Sequence, residues 1–274
     1  MSFMLENNKD FKITIEVVPP KGEYNGLLKE LNKISHLPFD GFSVASNPIA
    51  KPKMSAMVFA HLLQEKTCKP AILHFTIRDH NVIGLQGEMW GAKALGLDTV
   101  LAMTGDPAKQ VKNKKKVSSV RDVSVFELIK MSKNSQLFTG AVLDFRPEIN
   151  GLKSEVKRLE KKLDAGAGFI VTQPVYDEKT AQSIKTATMH LNVPVIMGIL
   201  PLISYKHALF LHDKVAGISV PEKLKDEIKA AKDPVNQGIA QAKKILQIAR
   251  NNFSGACIMP PFDRFEILFG ILEK

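Results

Sequence analysis

The chain has 274 residues, 45% hydrophobic and 24% charged, with a mean hydropathy near zero. These values exclude a disordered chain, and no apolar run approaches the roughly 20 residues of a membrane helix. A formal net charge of +10 would admit a nucleic-acid partner, but most lysines alternate with acids, as in SEVKRLEKKLD and PEKLKDEIKAAKD, the pattern of a solvated helix face.

In chain order, short β-rich runs end in polar, Gly or Pro residues, and most are followed by a helical pattern. Strands are predicted at 12–18 (KITIEVV), 41–46 (GFSVAS), 71–76 (AILHFT), 99–104 (TVLAMT), 140–145 (GAVLDF), 168–173 (GFIVTQ), 194–200 (PVIMGIL) and 255–260 (GACIMP). Leu85, Met89, Ala92 and Leu95 form a helical stripe that stops at Gly96, Val156, Leu159 and Leu163 form another before DAGAG, and Ile239, Ala242, Leu246, Ala249 and Phe253 a third. The long interval between the seventh and eighth strands predicts extra helices. Eight alternating units of right-handed βαβ type imply an α/β fold, a (β/α)8 TIM barrel forming a single domain over residues 1–274. The start, MSFMLENNKDFK, lacks the apolar core of a signal peptide, so a cytoplasmic protein with no membrane and no nucleic-acid partner is expected. Lys114, Lys115 and Lys116, the one uninterrupted basic cluster, suit a small polyanion as well as a nucleic acid. Cys68 and Cys257 lack zinc or disulfide spacing and read as buried or incidental thiols; no metal is expected.

Barrel enzymes carry their active sites at the C-terminal ends of the strands. Here those ends offer Glu16, Ser46 with Asn47, His74 with Thr76, Thr104 to Asp106, Asp144 with Arg146, Gln173 with Tyr176, and Asp263 with Arg264. Glu16 lies among Ile13, Ile15, Val17 and Val18. Burying an ionised carboxylate there is costly, so it is either a general acid with a raised pKa or a glutamate paired inside the barrel; position favours catalysis. His74 follows three apolar residues and reads from pattern alone as a hydrogen-bonded core residue. Asp106 reads equally as turn chemistry in Gly-Asp-Pro or as a functional carboxylate. Gln173 can both donate to and accept from a heterocycle, and Tyr205 and Phe262 could stack on one or pack in the core. No Rossmann, Walker, nucleophile-elbow or HExxH motif is present.

These motifs, in this order, resemble the methylenetetrahydrofolate reductases: IEVVPPKG, HFTIRDHNVIGLQGEMWGAKALGLDTVLAMTGDP, KRLEKKLDAGAGFIVTQPVYD, VPVIMGILPLIS and PPFDRFE. The resemblance spans nearly the whole chain and is nearest to the short bacterial unit, found alone or fused to a homocysteine methyltransferase. It implies a flavin-dependent barrel that reduces 5,10-methylenetetrahydrofolate to 5-methyltetrahydrofolate in a ping-pong sequence, with NADH or NADPH as donor and FAD, or FMN in its place, as cofactor. It further implies Glu16 as general acid and Asp106 as a carboxylate near flavin and pterin. Gln173, Tyr205, Phe262 and Arg264 would contact substrate. His74, Thr76, Thr104, Gly105, Asp106 and Asp144 would line the flavin, and Arg158, Lys161 and Lys162 would meet its phosphates or ribityl chain. The chain departs from the best-known bacterial form at Thr104, which replaces an arginine, and at Arg146 and Asn150, which replace a tyrosine and a histidine. Two other readings stay open, a folate-reducing flavoprotein subunit that receives electrons from a partner protein and a different pterin- or flavin-binding barrel; a homo-oligomer or an electron-delivering partner subunit is the expected association.

Overall fold

The computed structural model describes residues 10–106, 120, 122–144, 151–215 and 217–273. Lys114, Lys115, Lys116, Arg146 and Asn150 lie outside the described residues. Eight parallel strands close in sequence order into a barrel: β1 (Lys12–Val17), β2 (Gly41–Val44), β3 (Ala71–Thr76), β4 (Thr99–Met103), β5 (Phe138–Leu143), β6 (Phe169–Pro174), β7 (Val195–Ile199) and β8 (Gly255–Ile258). β1 pairs with both β2 and β8, so no sheet edge is left open.

All eight predicted strands are present, and the differences are confined to their ends. β7 starts at Val195 because Pro194 has no N–H for the ladder, and β8 stops at Ile258 ahead of Pro260 and Pro261. β5 begins two residues early because Phe138 N–H donates to the Asp98 carbonyl and continues the register of Thr99 with Phe138.

The helices are α1 (Asn25–Ile34), α2 (Ala56–Thr67), α3 (Val82–Ala94), α4 (Val125–Asn134), α5 (Gly151–Asp164), α6 (Glu178–Thr188), α7 (Tyr205–Lys214), α8 (Glu222–Ala230), α9 (Pro234–Asn252) and α10 (Ile267–Leu272). Their starts follow capping chemistry. Asn81 accepts from Gly84 N–H, Ser124 and Glu127 form a reciprocal capping box, and Asp233 caps α9 ahead of Pro234. As the long interval predicts, α7, α8 and α9 all lie between β7 and β8. Among the described residues no helix is long and apolar enough to cross a membrane.

Side-chain alternation divides the core in two. Outward residues such as Ile15, Phe42, Leu73, Val100 and Ile170 pack under the helices, while Ile72, Leu101, Phe169, Val171, Ile196 and Cys257 fill the barrel. Phe169 takes its place because Gly140 faces it: a Cβ on Gly140 would lie 2.3 Å from the Phe169 ring. A third cluster, including Tyr176, Leu202, Leu211, Leu224 and Ile228, seats α7 and α8 beside the barrel.

Candidate active site

The same alternation that fills the lower barrel with apolar groups turns polar groups inward near the strand ends. β1 contributes Glu16 and β2 contributes Ser43, which are register partners. β3 contributes His74 and Thr76, both buried. Glu16 is half-buried, and among the described residues its carboxyl has neither a hydrogen bond nor an ion pair; burial pushes its pKa up to about 7. His74 Nε2 lies 2.7 Å from Ser43 Oγ, and burial pushes the imidazole down to about 4, so it is neutral. Cys257 on β8 is buried and interacts with Thr14 and Ser43; desolvation, with the nearby Glu16 charge, pushes its thiol up to about 12.

Three loops are tied together beside this pocket. Gly105 adopts φ +82°, where a Cβ would lie 3.1 Å from Thr76 Cβ and 3.2 Å from Arg78 Cβ, so only glycine fits the turn from Thr104 to Asp106 without strain. The exposed Asp106 carboxylate accepts from Ile49 N–H at 2.7 Å, and its carbonyl accepts from Arg78 Nη1 at 3.1 Å. Arg78 is buried and donates through Nε to Asp79 at 2.6 Å, while Asn47 donates to the same carboxylate at 3.2 Å. Asn47 and Ile49 both adopt left-handed backbone, φ 45° and 53°, a strained state for an isoleucine. The ends of β2, β3 and β4 are thus cross-linked around Asp106.

Across the mouth, Gln173 at the end of β6 is half-buried, and Asp144 follows β5. Gly217, at φ +85°, packs over both: a Cβ there would lie 3.0 Å from Asp144 Oδ1 and 3.5 Å from Gln173 Cγ. Tyr205 opens α7, half-buried, with Lys229 Nζ 5.2 Å from its ring centroid. Phe262 is 72% exposed and left-handed at φ 55°, its ring 5.2 Å from that of His207. Arg264 donates to Glu266 at 2.7 Å. On α5, Arg158 and Lys161 are exposed, whereas Lys162 is buried and donates to the Val142 carbonyl at 2.6 Å. Burial, reinforced by Arg158, pushes the Lys162 ammonium down to about 8.

Glu16, His74 and Thr76 therefore share the barrel interior, Thr104, Gly105 and Asp106 border it, and Gln173 and Asp144 meet beneath Gly217. Lys162 is directed to β5 and does not stand with Arg158 and Lys161 on the solvated side of α5. Ser43, Cys257 and His207 were not singled out from sequence as site residues. For the first two the signal was available in the period-two alternation of GFSV and GACI, which turns them inward with Glu16. His207 is buried, and its Nδ1 has no partner among the described residues; no sequence pattern marks that.

A parallel (β/α)8 barrel whose strand ends gather an unpaired carboxyl, a neutral histidine and a tethered aspartate has the organisation of a barrel enzyme. The chain belongs to the methylenetetrahydrofolate reductase family, whose model matches residues 2–256. A 5,10-methylenetetrahydrofolate reductase of Buchnera aphidicola (subsp. Acyrthosiphon pisum) is 22% identical over 243 residues, covering 86% of this chain and 80% of that protein. A probable NADPH-dependent methylenetetrahydrofolate reductase of Caenorhabditis elegans is 22% identical over 245 residues, 84% of this chain; the match spans only 36% of the nematode protein. Among solved structures, an uncharacterized Clostridium thermocellum protein that binds two copies of 5-methyl-5,6,7,8-tetrahydrofolic acid shares the fold. Its TM-score is 0.69 at 17% identity, covering 98% of this chain and 94% of that one.

Proposed function

We propose that the protein reduces 5,10-methylenetetrahydrofolate to 5-methyltetrahydrofolate with electrons from NADH or NADPH, in a flavin-dependent ping-pong reaction. The observation that carries the reading is the Glu16 carboxyl, turned into the mouth of a barrel of this family, without a hydrogen-bond or ion-pair partner among the described residues and with a pKa near 7. A carboxyl so placed holds a proton at neutral pH and can donate it to a ring nitrogen of the bridged folate, opening the five-membered ring. Asp106, whose carboxylate is held by Ile49 N–H, supplies negative charge where cationic character develops. Gln173 offers a donor and an acceptor to the pterin or nicotinamide edge, and Tyr205, Phe262 and Arg264 line the outer mouth for the rest of the folate.

The donor set suits a flavin. His74 and Thr76 present neutral polar groups from inside the barrel, Thr104 to Asp106 and Asp144 supply hydrogen-bonding groups at its rim, and Arg158 and Lys161 leave two exposed cations for phosphate. Lys162 supports the end of β5 instead. When bound, a flavin, FAD or FMN, supplies hydride transfer between the nicotinamide and the folate; the chain orients both substrates, excludes water and delivers the proton from Glu16.

Purified protein should be yellow, lose its flavin absorbance on anaerobic addition of NADH or NADPH, and regain it on addition of methylenetetrahydrofolate. A protein that binds no flavin contradicts the reading. One that is reoxidised by the folate but not reduced by either nicotinamide contradicts the donor assignment and points to a partner protein.

A further inference from the structure

Ser43 is the polar side chain in register with Glu16 on the neighbouring strand, and a serine hydroxyl has a single proton to donate. That hydroxyl is already engaged: His74 Nε2 lies 2.7 Å from its oxygen, and Cys257 meets it from β8. If Ser43 donates to Nε2, its proton is spent there. If Nε2–H donated to Ser43, the serine proton would be free for the Glu16 carboxyl, and among the described residues Glu16 has no hydrogen bond; the arrangement that agrees with this is Ser43 donating to Nε2.

We propose that His74 is a positioning residue that acts through Ser43, engaging its hydroxyl and so keeping the proton of this register partner away from the Glu16 carboxyl. A donated hydrogen bond would favour the carboxylate and strip Glu16 of its proton near neutrality. His74 and Ser43 thereby preserve the protonated form by withholding a partner. Among the described residues, the titratable groups turned inward around Glu16 are His74 from β3 and Cys257 from β8. Lys12, lower on β1, is paired with Asp40 at 3.2 Å, and Asp144 stands at the far end of β5 across the mouth. β4 and β6 contribute the apolar Leu101 and Val171. The catalytic consequence rests on the reading of Glu16 as the acid; the wiring does not.

The test is an NMR titration of the carboxyl carbon of Glu16 in the purified, 13C-labelled full chain, assigned with Glu16→Gln. The expected parent midpoint is about 7. His74→Phe releases the Ser43 hydroxyl, which prefers a carboxylate to a thiol sulfur, and lowers the midpoint by about one pH unit. His74→Gln, whose amide oxygen can accept from Ser43, stays near the parent value, and adding Ser43→Ala to His74→Phe restores it. An unchanged midpoint in folded His74→Phe, or a drop that survives Ser43→Ala, overturns the proposal. Ser43→Ala alone, which removes one oxygen and endangers the fold least, leaves the midpoint in place; a rise of about one pH unit would mean that Ser43 already serves Glu16, and would overturn it too. The titration needs no turnover, so a failure of Glu16 as the acid, seen as folate reduction surviving Glu16→Gln, is registered separately.

Discussion

A carboxyl whose pKa is raised by folding makes stability depend on pH in a definite direction. The ordinary value for glutamate is 4.5, and Glu16 stands at about 7 in the fold. Between these values the folded chain binds more protons at this site than the unfolded chain does. The Glu16 contribution is therefore fully present below about pH 4.5 and is lost as pH rises toward 7, above which it is constant. The gap corresponds to about 3 kcal/mol, at about 1.4 kcal/mol per pH unit. Glu16→Gln keeps the shape of the side chain and removes the titration. Urea unfolding of both proteins at pH 5 and pH 8 should show the variant gaining about 2 to 3 kcal/mol relative to the parent on going from the lower to the higher pH. An equal pH dependence in the two proteins would refute the inference that burial raises the Glu16 pKa in the folded chain.

Gly140→Ala would place a Cβ 2.3 Å from the Phe169 ring and should cost about 1–3 kcal/mol by overpacking, with Phe169→Leu restoring part of the loss in denaturant melts. Arg78→Met would leave Asp79 without its buried partner and free the Asp106 carbonyl; thermal unfolding should show a loss of about 1–3 kcal/mol, and the KM for folate should rise more than kcat falls. Gly105→Ala would press on Thr76 and Arg78 at left-handed φ, costing about 1–3 kcal/mol in the same melts, and crystallography of the variant should show Asp106 displaced from Ile49 N–H.

Much of the barrel is legible in the sequence because each strand is a short run bounded by groups that end a ladder, such as Pro194 or the pair Pro260 and Pro261. The inward placement of Glu16 follows from the same alternation that sends Ile13, Ile15 and Val17 outward to the helices. Asp106 is a different case. Gly-Asp-Pro describes a turn, and only the tertiary contacts with Ile49 and Arg78, which are 57 and 28 residues away, distinguish a tethered carboxylate from a turn residue. Lys162 is a further case: it lies three residues after Leu159 and seven after Glu155, on the buried side of α5, and its long stem carries the ammonium to the Val142 carbonyl, a contact that the run of lysines in the sequence does not mark. Cys257 is buried, as one of its two readings has it, but a lone thiol carries no spacing signal, and which residues it neighbours depends on which strands pair with β8.

The central claim, that Glu16 supplies the proton for folate reduction, is tested most directly by following bound flavin absorbance in anaerobic stopped flow with Glu16→Gln. The account predicts that NADH or NADPH bleaches the variant as it does the parent, and that methylenetetrahydrofolate then reoxidises the parent but not the variant. Reoxidation of the variant at the parent rate would contradict it.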